Sequence, residues 1–104
     1  MSTQIAIRLP EEMVVVLTRE AARGAMTKVT VAPITSTAKG LSSEVPVGSA
    51  NGLECDSVIS LDNVVTIPVS LLGRTVGFLS ADQEAQLARA VVLAYDLDIG
   101  LLDT

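Results

Sequence analysis

Residues 29–47, VTVAPITSTAKGLSSEVPV, decide how this chain is read. The stretch begins as an apolar, β-branched run, Val29-Thr30-Val31-Ala32, a composition that fits a pleated and largely buried surface. Pro33-Ile34 lead into three consecutive hydroxyls, Thr35, Ser36 and Thr37, with Lys39-Gly40 just beyond. A buried strand that delivers hydroxyls and an ammonium to one rim offers hydrogen bonds and positive charge to a phosphate. The same hydroxyls also suit a turn, where they satisfy backbone groups. Residues 43–47 are extended again, so a strand, a polar turn at 36–40 and a second strand are expected.

Upstream, residues 3–9 alternate, with Thr3, Ile5 and Ile7 on one face and Gln4, Ala6 and Arg8 on the other, the pattern of a strand. Pro10-Glu11-Glu12 interrupts it. Residues 13–18, MVVVLT, form a continuous run that suits a strand buried on both faces. Residues 19–26 are polar, contain Gly24, and read as a loop or one short helical turn. Downstream, residues 48–56 form a loop rich in Gly, Ser and Asn. Two short strands, 57–61 and 64–69, flank a turn at Asp62-Asn63. A tight turn at 70–73 precedes a last strand, 74–79, whose Phe78 is assigned to the core.

Ser80 then opens the one expected helix, residues 80–97. Ser80 is a good N-cap, Gln83 completes a capping box, and Asp82 and Glu84 suit the positive end of the helix dipole. Ala85, Ala88, Val91, Val92 and Tyr95 recur at helical spacing and predict one apolar stripe. Many short strands followed by one amphipathic helix predict a single domain, mainly β with a C-terminal helix, built as a strongly bent sheet or partly open barrel.

Composition narrows the chemistry. The chain has 104 residues, enough for one small domain, and homodimerisation would extend its limited core. Phe78 and Tyr95 are its only aromatics, so base stacking on aromatic platforms has little material. The net charge of −5 argues against non-specific nucleic-acid binding but leaves room for a local basic rim. Cys55 is the only cysteine and sits between Glu54 and Asp56, which excludes an internal disulfide and a cysteine metal site. Histidine is absent, which removes imidazole bases, imidazole metal ligands and Ser-His-Asp triads together. Residues 1–13 lack the pattern of a signal peptide, and no apolar run reaches the roughly 18 residues of a membrane span. A cytoplasmic protein is expected.

From about residue 14 to residue 98 the sequence resembles the MazF/PemK family of toxins from toxin–antitoxin operons. The strand VVVLT, then VTVAPITSTAKG, SEVPV, SVISLDNVVTIP and GRTVGFLS, and the closing acidic, Ala-rich helix carry the resemblance in order and spacing. It implies a small SH3-like barrel of the MazF/PemK/CcdB type, a homodimer, and metal-independent cleavage of single-stranded RNA without a cofactor. It also implies a cognate antitoxin as partner. In the family a Thr at the end of the strand before the hydroxyl-rich turn and an Arg ahead of the VVVLT-like strand are credited with catalysis. The Thr falls on Thr35, with Ser36, Thr37 and Lys39 as RNA-binding candidates. The Arg-Pro falls on Glu12-Met13, so Glu12 reverses the charge at the expected catalytic position and predicts weakened or absent activity. Arg19 follows the strand instead of preceding it and is a poor substitute.

The start MSTQIAIRLPEEM resembles instead the beginning of ribbon–helix–helix antitoxins. That resemblance implies a join near residue 13, with Gln4 and Arg8 reading base edges of operator DNA and Pro10-Glu11-Glu12 starting a helix. The alternation better suits a barrel strand that pairs with residues 13–18 through a turn at 10–12. A barrel without it would expose an open edge. Three functions follow: a weakened nuclease, a non-catalytic decoy that binds the antitoxin, and an operator-binding hybrid.

Overall fold

A computed structural model describes residues 3–18 and 27–94. Seven strands form one bent antiparallel sheet: β1 (Gln4–Arg8), β2 (Glu12–Val16), β3 (Lys28–Thr35), β4 (Glu44–Val47), β5 (Ser57–Ser60), β6 (Val65–Pro68) and β7 (Leu72–Phe78). Their order is β4-β5-β3-β2-β1-β7, with β6 also on β3. The helix α1 (Ala81–Ala94) packs against β4 and the turn at Leu61–Asn63. The expectation of a mainly β domain closed by one helix holds. The stretches 19–26 and 95–104 lie outside the described residues, and with them the expected loop after β2, the end of the helix and Tyr95.

β3 organises the sheet because it is paired along both edges. Val31 faces Val16 of β2 on one edge and Val65 of β6 on the other. Beyond Val31 the second edge changes partner, and Ile34 and Thr35 pair with Ile59 and Val58 of β5. Pro33, which has no N–H to donate, falls in the gap between these two partners. The side chains of β3 then divide. Ala32 and Ile34 join Ile5, Val15, Val45, Ile59 and Leu87 in the cluster beneath the helix. Val29 and Val31 join Ala6, Val14, Val16 and Ile67 in a second cluster. Consecutive valines in β2 thus serve opposite clusters, which is why MVVVLT reads as a continuous apolar run.

The N-terminal strand is a barrel strand. β1 pairs with β2 in the register Ile5↔Val15 and Arg8↔Glu12, and its other edge pairs with β7. Leu9 N–H donates to Leu71 O at 2.8 Å, and Leu79 N–H donates to Thr3 O at 3.0 Å. With both edges occupied within its own sheet, β1 has no free edge for a twin strand. Pro10 and Glu11 turn the chain into β2, which starts at Glu12, instead of starting a helix.

Two sequence expectations are corrected. Phe78 is 52% exposed, not core. It ends β7, the last strand on the sheet path, opposite Gln4, and Leu79 one residue later takes the buried place. The buried face of α1 carries Leu87 and Ala90, with Val91 and Ala94 packed beside them, while Ala85 and Ala88 are exposed. Both stripes have helical spacing, and the one containing Leu87 removes more apolar area from water.

The helix start follows the expected capping box. Gln83 N–H donates to Ser80 Oγ at 3.2 Å, and Ser80 N–H donates to Gln83 Oε1 at 2.9 Å. Gln83 also exchanges two amide hydrogen bonds with buried Asn51, at 2.7 and 3.0 Å, and Asn51 Nδ2 donates to Phe78 O at 2.9 Å. Gly77 lets this turn approach, since a Cβ there would lie 1.9 Å from Asn51 O. Glu84 accepts from both Thr3 N–H and Thr3 Oγ1, tying β1 to the helix. Asn51→Ala strands these partners in a buried setting and is expected to cost about 1–3 kcal/mol in urea-unfolding stability. Gly77→Ala, by overpacking, is expected to cost a similar amount, about 1–3 kcal/mol.

Candidate nucleic-acid interface

Thr35 is half-buried at the end of β3, on the same side of the strand as Val31 and Pro33 by alternation. Its Oγ1 accepts a hydrogen bond from Thr37 N–H at 3.1 Å. The turn role foreseen for these hydroxyls is therefore real, but an acceptor contact leaves the Thr35 hydroxyl proton available to a ligand. Thr35, Thr37 and Lys39 line one concavity of about 240 Å³ together with Glu44, Ser60 and Asn63. Three of the expected residues thus come together. Ser36 does not join them: it lines a separate concavity of about 600 Å³ with Ala38, Asn51 and Asp56.

The turn that carries Lys39 is held by Glu44. The Glu44 carboxylate accepts backbone N–H bonds from Lys39 at 3.0 Å, Gly40 at 2.9 Å and Leu41 at 3.0 Å, while Glu44 N–H donates to Leu41 O at 3.1 Å. Successive N–H groups converging on one oxygen pair form an anion-holding concavity, filled here by a side chain of the same chain. Gly40, at φ 76°, supplies the left-handed residue this turn needs. The Lys39 N–H above all, then those of Leu41 and Gly40, together with the Lys39 charge, lower the Glu44 pKa from its ordinary 4.5 against a smaller opposing effect of burial. Sequence reasoning passed over Glu44. The cue was a carboxylate at the start of a strand just after a Gly-containing polar turn.

A second concavity, of about 220 Å³, adjoins the first through Pro33 and Asn63 and is bordered by Arg8 and Glu12. The antiparallel register pairs Val14 with Pro33, and Glu12 lies two residues back while Thr35 lies two residues on. Both therefore stand at the same end of the sheet. Glu12 faces Arg8 in the β1–β2 register, and Arg8 Nη1 lies 3.3 Å from Glu12 Oε1. Asn63, foreseen as a turn residue, donates to Ser60 Oγ at 2.9 Å and stands between the two concavities. Ser43 Oγ donates to Asp62, which fixes the neighbouring turn. Cys55 is exposed, and among the described residues no group of three or more His, Cys, Asp or Glu side chains is placed to hold a metal ion. No helix among the described residues is long and apolar enough to cross a membrane.

Because the folded pKa of Glu44 lies below its ordinary value, the stability this carboxylate contributes is present above about pH 4.5 and is lost as pH falls through the folded pKa. Amide hydrogen exchange at Lys39, Gly40 and Leu41 is expected to lose protection over that acid range. Glu44→Gln is expected to show the loss already at neutral pH, read by NMR.

Comparison with known proteins identifies the fold. The profile of the family described as PemK-like, MazF-like toxin of type II toxin–antitoxin system matches residues 10–95. Endoribonuclease MazF3 of Mycobacterium tuberculosis (strain ATCC 25618 / H37Rv) is 56% identical over 85 residues, which cover 82% of each chain. The solved structure of Mycobacterium tuberculosis toxin MazF-mt6 superposes with a TM-score of 0.85 at 51% identity, over 94% of this chain and 99% of that one. An endoribonuclease in complex with its cognate antitoxin, from Mycobacterial species, shares the fold with a TM-score of 0.77 at 16% identity, over 93% of each chain. The bent sheet closed by a C-terminal helix is the barrel-like fold of these toxins. With more than four-fifths of its length matched, the chain belongs to the PemK-like, MazF-like toxin family of type II toxin–antitoxin systems.

Proposed function

We propose that this chain is a metal-independent endoribonuclease of single-stranded RNA, a cytoplasmic toxin that works as a homodimer and is countered by a cognate antitoxin. Its cutting is weakened by Glu12. The observation that carries the reading is the convergence of Thr35, Thr37 and Lys39 on one concavity within a chain of this family. RNA brings its own nucleophile. The 2′-oxygen attacks the neighbouring phosphorus, its proton leaves, the bond from phosphorus to the 5′-oxygen breaks, and that oxygen takes up a proton. The protein's share is to align these atoms and to balance the charge that builds on the phosphoryl oxygens. Thr35 supplies a hydroxyl that hydrogen-bonds there, Thr37 helps to hold the phosphate, and Lys39 supplies positive charge. Ser36 meets RNA from the separate concavity it lines.

Glu12 works against this. A carboxylate at the same end of the sheet as Thr35 repels the phosphate, and an arginine at that position would donate to it. The same carboxylate favours a second reading, a non-catalytic member that binds the antitoxin and lowers its free concentration. An operator-binding role has less support, because β1 is paired along both edges.

The test is incubation of the purified protein with single-stranded RNA in EDTA. Slow cleavage is expected, with Thr35→Ala lowering it by about 10²–10³-fold and Glu12→Arg raising it. Cutting by the natural protein as fast as by Glu12→Arg would remove the weakening. If neither form cuts, the nuclease reading falls, and capture of the neighbouring-gene antitoxin would support the decoy.

A further inference from the structure

Arg8 lies ahead of residue 10, where the family match begins, so nothing in that match assigns it a role. By strand alternation it shares the face of β1 that carries buried Ala6, the face of the second cluster. This is the side on which Val14 and Val31 also lie and on which the concavity bordered by Arg8 and Glu12 opens. That concavity meets the Thr35–Lys39 concavity at Pro33 and Asn63. The charged groups bordering the two are Arg8, Glu12, Lys39 and Glu44. Glu44 is committed to three backbone N–H groups. Glu12 is therefore the carboxylate left to compete with a phosphate for Arg8.

The competition is easily tipped. The Arg8 and Glu12 side chains are 35% and 50% exposed, and exposed ion pairs of this kind are weak and screened by salt. A guanidinium carries five N–H donors in a planar fork, and a single nitrogen of Arg8 is engaged with Glu12. A forked contact from Arg to a phosphate is charge-assisted and geometrically matched. We propose that Arg8 is a phosphate-contacting residue of the RNA groove, and that Glu12 attenuates this contact by competing for the guanidinium. The inference rests on the nuclease reading for its ligand. Positive charge absent at position 12 is supplied across the strand pair from position 8.

The experiment is binding of a 2′-O-methyl single-stranded RNA of mixed sequence, whose blocked 2′-oxygen prevents cleavage. It is followed by fluorescence anisotropy over a salt titration, with thermal melts to confirm folding. Arg8→Gln is expected to weaken binding roughly tenfold and to reduce the slope of log affinity against log salt by about 0.7. Arg8→Lys is expected to keep the slope and recover part of the affinity. Glu12→Gln is expected to tighten binding roughly threefold with Arg8 present and clearly less in the Arg8→Gln background, where only its direct repulsion of the phosphate is relieved. Wild-type affinity and slope for Arg8→Gln would overturn the proposal. So would equal tightening by Glu12→Gln in both backgrounds, or an Arg8→Lys variant with the slope of Arg8→Gln. RNA that binds through Arg8 and is never cut in its unblocked form would remove the nuclease reading alone. Thr35-dependent cutting by an Arg8→Gln variant of unchanged affinity would remove this inference alone.

Discussion

The double pairing of β3 is the constraint on which the rest of the molecule depends. One strand holds β2 along one edge and divides the other edge between β6 and β5. Its faces feed two apolar clusters, and Val29, Val31 and Ala32 are buried between them, whereas the residues from Pro33 on are only partly buried. Thr35 is then the point at which a buried strand opens to the surface with its direction already fixed. A hydroxyl at the end of such a strand is placed by the packing of Val29, Val31 and Ala32 behind it, which allows it to be held without a dedicated scaffold.

Around this fixed strand end the charged groups fall into two pairs with different roles. Glu44 spends its acceptor capacity on three consecutive backbone N–H groups and so shapes the turn that carries Lys39. Among the described residues Glu12 pairs with Arg8, across an exposed rung of the β1–β2 ladder. A carboxylate saturated by backbone donors is a structural part, whereas a carboxylate in an exposed ion pair can be displaced. This difference makes the Arg8–Glu12 rung the adjustable element of the groove and the Glu44 turn its fixed wall.

Much of the fold was legible because it is written in short-range patterns. The alternation of residues 3–9, the unbroken MVVVLT run and the Ser80–Gln83 capping box each describe a local preference, and each has its counterpart in β1, β2 and the start of α1. Phe78 and the helix stripe were misjudged because burial depends on what lies across from a residue. Hydrophobicity suggested a core site for Phe78, but its strand is the sheet's last. Helical spacing admitted two stripes, and contact with the sheet selected the one through Leu87 and Ala90. For the site, the hydroxyl-rich turn signalled Thr35, Thr37 and Lys39, while Arg8 was read only as a contact to operator DNA, Asn63 only as a turn residue, and Glu44 was passed over.

The sequence by itself determined the family, the succession of strands and helix, and the hydroxyls and ammonium at the end of β3, since each depends on residue order over a few positions. It also determined that Glu12 stands where the family resemblance expects an arginine. Only the tertiary structure decided that β1 is a barrel strand closed on both edges, that Ser36 lines a different concavity from Thr35 and Thr37, and that Arg8 borders the groove beside Glu12. The physical reason is that strand pairing sets the neighbours of a side chain by register. Register joins residues far apart in the chain, such as Ile5 with Gly77, and sets which residues face one another across a short turn, such as Arg8 and Glu12, and no local pattern records which pairs will meet.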